Sequence, residues 1–65
     1  MDIIVNGEKR SVDQMSVLDF LESLEIDPRL VAVERNLDIL PKSEYGTTML
    51  KDGDSLEIIQ FVGGG

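Results

Sequence analysis

Two hydrophobic rhythms run along this chain. Residues 2–5, Asp-Ile-Ile-Val, and 8–12, Glu-Lys-Arg-Ser-Val, flank the pair Asn6-Gly7. Both residues of that pair tolerate positive φ, so the spacing predicts a hairpin closed by a two-residue turn. From Met15 the period becomes helical. Val17, Leu21 and Leu24 share one face, and Leu18 and Phe20 widen the stripe. Ser16 is placed to cap this helix, with Asp19 at the reciprocal position and Met15 and Phe20 placed as a hydrophobic staple. Asp27-Pro28 is expected to end it, because a residue before proline disfavours the helical region.

Leu30–Asn36 is a short, mostly apolar run that predicts a buried strand followed by a turn. Residues 37–50 mix polar and apolar positions around Pro41 and Gly46, and are expected to be irregular. Lys51-Asp-Gly-Asp54 is a turn signal. Its two aspartates faintly resemble the start of a calcium loop, but the remaining ligands of such a loop are missing. Residues 55–62 form the last predicted strand. Leu56 and Ile58, followed by Gln60 and Val62, lie on one face, and Glu57, Ile59 and Phe61 on the other. A strand covered on one side should carry polar residues on its free face. Ile59 and Phe61 break that rule, either as an exposed apolar patch or as residues covered by the long irregular segment. Hairpin, helix and further strands make an α+β layout with one helix across one mixed sheet. Parallel pairing of the first and last strands would make it a β-grasp (ubiquitin-like) domain over residues 1–62, leaving 63–65 as a flexible glycine tail.

Composition narrows the chemistry. The 65 residues suit one small domain, and 42% hydrophobic residues suffice for its core. There is no cysteine and no histidine, so neither a disulfide framework nor a zinc or copper site is expected. Thirteen acidic residues against six basic ones give a net charge of −7. That argues against binding to nucleic acid or to anionic membranes. The opening Met-Asp-Ile-Ile-Val fits no signal peptide or membrane span, so a cytoplasmic location is expected.

The last strand runs directly into Gly63, Gly64 and Gly65. Three such residues reach at most about 10 Å, and five, counting Phe61 and Val62, about 17 Å. Lacking Cβ atoms, the glycines can thread a channel too narrow for ordinary side chains. The group they deliver is the Gly65 carboxylate, a usable nucleophile towards the α-phosphate of ATP. The chain has no phosphate-cradling loop and no Cys or His for acid–base or nucleophilic work. A working tail therefore makes the protein a substrate of another enzyme, with no catalytic residue and no bound cofactor of its own.

Val-Ala-Val-Glu-Arg-Asn, Leu-Pro-Lys-Ser-Glu-Tyr and Leu-Lys-Asp-Gly-Asp-Ser-Leu-Glu-Ile-Ile-Gln-Phe-Val-Gly-Gly-Gly, in that order, resemble the sulfur-carrier family of thiamine biosynthesis. The resemblance covers nearly the whole chain. It implies the β-grasp fold and a carrier role, in which an E1-like adenylating enzyme uses ATP to activate Gly65. A sulfur-donating enzyme then supplies the sulfur of a thiocarboxylate, and thiazole synthase takes that sulfur. Gly64 completes the diglycine, and Gly63 is a third glycine beyond the minimum pattern. Ile59 and Phe61, with Val62 beside the glycines, are candidates for partner docking on the residues' own account. The small subunit of molybdopterin synthase shares the fold and tail but is usually longer. A ubiquitin-like modifier and a plain interaction module, whose glycines would be an idle frayed end, complete the alternatives.

Overall fold

Asn6 (φ 49°) and Gly7 (φ 83°) both take the left-handed conformation, which matches the twist of the strands they join. β1 (Asp2–Val5) and β2 (Glu8–Ser11) accordingly pair antiparallel, with Asp2 opposite Ser11 and Val5 opposite Glu8. The computed structural model describes residues 1–61. The domain boundary expected between 62 and 63 lies outside them.

The helix α1 spans Val17–Ser23. All of its first backbone donors find acceptors, which a helix start must otherwise leave to solvent. Val17 and Leu18 donate to the Thr48 and Tyr45 carbonyls, both at 2.9 Å, and Phe20 to the Ser16 carbonyl at 3.0 Å. Asp19 N–H goes to the Ser16 hydroxyl at 3.0 Å. The helix ends earlier than Asp27-Pro28 suggests. Glu25 turns into the left-handed region (φ 60°). Its N–H bonds the Glu22 carbonyl and that of Ile26 bonds the Leu21 carbonyl, each at 3.0 Å. Those two bonds close a helix by the Schellman route, here without the usual glycine. Pro28 instead begins a separate 3-10 turn, Pro28–Leu30, capped by Asp27, since proline suits the first position of a helical turn.

β3 (Val31–Arg35) turns at Asn36 (φ 52°) and Leu37 (φ 73°) into β4 (Asp38–Leu40), and a 3-10 turn covers Lys42–Glu44. The segment expected to be irregular thus contains a strand. Three residues are too few to show a period, and the turn before them lacks the glycine that would announce it. β5 (Ser55–Gln60) lies parallel to β1, with Val5 beside Leu56, and antiparallel to β3, with Val33 opposite Ile58. The sheet order is β2-β1-β5-β3-β4, the expected β-grasp arrangement.

One face of this sheet builds the core. Ile3, Val5, Val31, Val33 and Leu56 pack against Val17, Phe20 and Leu21 of α1, with Tyr45 and Leu50 from the long connection. The connection therefore wraps the helix side and leaves the other face of the sheet uncovered. No helix among the described residues is long and apolar enough to cross a membrane.

Side chains from both turns hold β5 in place. Asn6 accepts the Ile58 N–H at 2.7 Å and donates to the Ile58 carbonyl at 3.2 Å, prolonging the β1 ladder past its last residue. Asn36 accepts the Ser55 N–H at 2.9 Å and donates to Asp54 at 3.1 Å. Asp54 is buried. It also accepts from Arg35 Nε at 3.0 Å and from the Lys51 N–H at 2.9 Å. Burial opposes its ionisation, but these donors outweigh burial and hold the carboxyl below its ordinary value.

Two consequences can be measured. Leu37 holds a positive φ with a side chain 92% exposed, a conformation that strains a bulky residue. Leu37→Gly should stabilise the domain by about 1 kcal/mol, raising Tm by roughly 5 °C in calorimetry. Asp54→Asn should cost about 2 kcal/mol at neutral pH in denaturant titrations. Because the folded pKa is depressed, the wild type's advantage is complete above the unfolded value of 3.8. It is lost as pH falls through the folded value, so the two proteins should converge in strong acid.

Candidate functional site: the uncovered sheet face and its C-terminal edge

Alternation along the strands sends Ile4, Ala32, Glu34, Ile39, Glu57 and Ile59 to the face away from the helix. Ile59 stands directly opposite Ala32, and Ile39 opposite Glu34. Ile4, Ile39 and Ile59 are 44%, 66% and 48% exposed. A row of half-exposed isoleucines across three strands exceeds the scattered apolar residues of an ordinary surface.

Phe61 prolongs the β5–β3 ladder by donating its N–H to the Leu30 carbonyl at 3.0 Å, and both side chains are 58% exposed. The Lys42 ammonium lies 5.0 Å from the centre of the Phe61 ring and donates to the Arg29 carbonyl at 2.8 Å. A shallow groove of about 320 Å³ runs beside this ring, lined by Glu25, Ile26, Asp27, Leu30, Val31, Gln60 and Phe61. At its margin Arg29 grips Asp27 with Nε at 3.1 Å and a terminal nitrogen at 2.8 Å. These hydrogen bonds bring the Asp27 carboxyl down to about 2.

Both docking candidates that the structure describes, Ile59 and Phe61, are thus exposed; the long connection does not cover them. The third, Val62, and the tail glycines Gly63, Gly64 and Gly65 lie outside the described residues. From Phe61, four further residues can reach at most about 14 Å. Sequence reasoning missed Ile39, which sits in the segment expected to be irregular. It also missed the juxtaposition of Glu34 and Glu57, which needs the β3–β5 register.

Geometry of this kind can present a surface and a chain end. Among the described residues no group of three or more acidic side chains is arranged for a metal. The profile of the ThiS family matches residues 3–65. This chain belongs to the ThiS family. The sulfur carrier protein ThiS of Bacillus subtilis is 40% identical over 63 residues, spanning 94% of this chain and 96% of that protein. A crystal structure of a thiamine biosynthesis protein (ThiS) from Geobacter metallireducens matches over the whole of both chains, with TM-score 0.85 and 35% identity. Thiazole synthases of Paramagnetospirillum magneticum and Magnetococcus marinus are 50% and 36% identical over 66 residues. Those matches take in all of this chain but 20% of each synthase, so the chain spans about a fifth of the length of these two relatives.

Phe61→Asp is expected to leave the domain folded. The Phe61 backbone bond to Leu30 needs no side chain, and substitutions at exposed positions cost less than about 1 kcal/mol. A dispersed amide NMR spectrum would bear this out, whereas spectral collapse would place Phe61 in the core.

Proposed function

We propose that this chain is the sulfur carrier for thiazole formation in thiamine biosynthesis, with Gly65 as the residue that is activated and loaded. The observation that carries the proposal is the ThiS-family match, which runs through the strand and the glycines to residue 65.

The chemistry requires three outside proteins. An E1-like adenylating enzyme brings ATP to the Gly65 carboxylate, which attacks the α-phosphorus and expels pyrophosphate. The resulting acyl-adenylate has AMP as a good leaving group. Hydrosulfide-level sulfur from a sulfur-donating enzyme attacks the acyl carbon, forming the C–S bond as the bond to AMP breaks. Thiazole synthase then consumes the thiocarboxylate. Relatives in which the same domain matches part of a thiazole synthase support that enzyme as the recipient.

This chain contributes presentation. Gly63 and Gly64 let the end enter a narrow active site, since they carry no side chain. Ile59 and Phe61, with Val62, supply apolar surface beside the tail for an enzyme to grip. ATP belongs to the activating enzyme, and the carrier acts as a co-substrate.

Intact mass spectrometry is the direct test, after incubation with ATP, the adenylating enzyme of the same cell and a sulfur source. A gain equal to exchanging one oxygen for one sulfur, mapped to Gly65, is the expected result. No gain, with an adenylating enzyme that loads another carrier, would refute the proposal.

A further inference from the structure

Glu34 on β3 and Glu57 on β5 are directly opposite each other in the antiparallel register. Their side chains share the uncovered face, where opposed residues stand about 5 Å apart at Cβ, and like charges so placed destabilise a sheet. No ion pair among the described residues relieves them. Lys9 lies against Asp2, Arg29 against Asp27 and Arg35 against Asp54. Among the described residues no cation comes within ion-pair distance of either glutamate. The pair also sits within apolar surface. Ala32 and Ile59 form the next outward-facing pair along the same two strands, and Ile39 lies across from Glu34. Two carboxylates that share no ion pair among the described residues, framed by half-exposed aliphatic side chains, together form a slot for a positive charge.

We infer that Glu34 and Glu57 form a cation slot that receives an arginine or lysine from the enzyme that adenylates Gly65, while Ile39 and Ile59 pack around the inserted side chain. This rests on the carrier reading above and specifies how the partner recognises this face. Arginine fits best, because its planar fork can engage both carboxylates at once.

Charge selects the occupant. A second copy of this chain would bring the same two glutamates against this face and a net charge of −7 against −7. A bare metal ion would find two carboxylates where calcium takes six to eight oxygen ligands. An enzyme that brings this acidic chain up to polyanionic ATP faces repulsion unless its docking surface is cationic, and a cationic surface also speeds encounter.

The test measures binding to the adenylating enzyme of the same cell, together with ATP–pyrophosphate exchange, for the full chain and three variants. Glu34→Gln and Glu57→Gln each remove one carboxylate from the slot. Glu22→Gln removes the same charge from an exposed position on α1, across the domain. Each slot variant should weaken binding about tenfold and raise KM with kcat unchanged, and should flatten the salt dependence. Neither should lower Tm, because each relieves a like-charge pair. Glu22→Gln should leave binding within about twofold.

Slot variants that bind like Glu22→Gln would overturn the inference, as would weakening seen with thiazole synthase alone. If such variants are loaded as well as wild type, the carrier reading stands and only the slot falls. A wild-type chain that neither binds the adenylating enzyme nor gains sulfur would remove both.

Discussion

β5 is the element on which the rest depends. Among the described residues it lies third in a five-stranded sheet and joins the β1–β2 hairpin to the β3–β4 hairpin. Backbone pairing to β1 is short, two residues in register, and side chains do the rest. Asn6 reaches past the end of β1 to engage both backbone groups of Ile58. Asn36 takes the Ser55 N–H at the strand's start. Each asparagine also turns its own hairpin, because its short amide tolerates a positive φ. Turn geometry and strand capture are therefore met by the same two residues. Asp54, held by Arg35, Asn36 and the Lys51 amide, fixes where the strand begins and so fixes its register.

That register decides what the other face offers. With Leu56 buried against the helix, the outward set is Glu57 and Ile59, and β3 answers with Glu34 and Ala32. A slip of one residue would bury the glutamates and expose the core. The apolar patch, the opposed carboxylates and the line on which the chain leaves the sheet are three results of one alignment. The long connection folds over the helix, where Tyr45 and Thr48 satisfy the first helical donors. It is thereby unable to shield the isoleucines. A small domain keeps a bare apolar face at a cost in solubility, which its high net charge offsets.

Much of this was legible in the residues themselves. Asn6-Gly7, the Ser16 cap and the 3.6-residue stripe from Val17 to Leu24 are local signals, and local physics produced the elements they announce. The alternation in β5 also exposed its own anomaly, since Ile59 and Phe61 stand where polar residues belong. What escaped carried no clear local signal. The helix stopped early because Glu25 accepts a left-handed conformation that composition would assign to glycine. β4 was hidden because Asn36-Leu37 turns without glycine and the strand is three residues long. The facing of Glu34 and Glu57 depends on pairing between strands more than 20 positions apart, which no single segment encodes. The glycine tail was plain in the sequence, but its role rests on family membership.

The central place of β5 also orders events in time. A chain made from its N-terminus can form its first hairpin and its helix early, yet the sheet has a gap in its middle until β5 is made and inserts. Pairings of such long sequence separation close late in folding. The facing glutamates and the isoleucine row come into being only with that last insertion. An enzyme docking on this face, as inferred above, would thereby pass over unfinished or unfolded chains, even those whose glycines are already present. Recognition of that surface would double as an inspection of the fold.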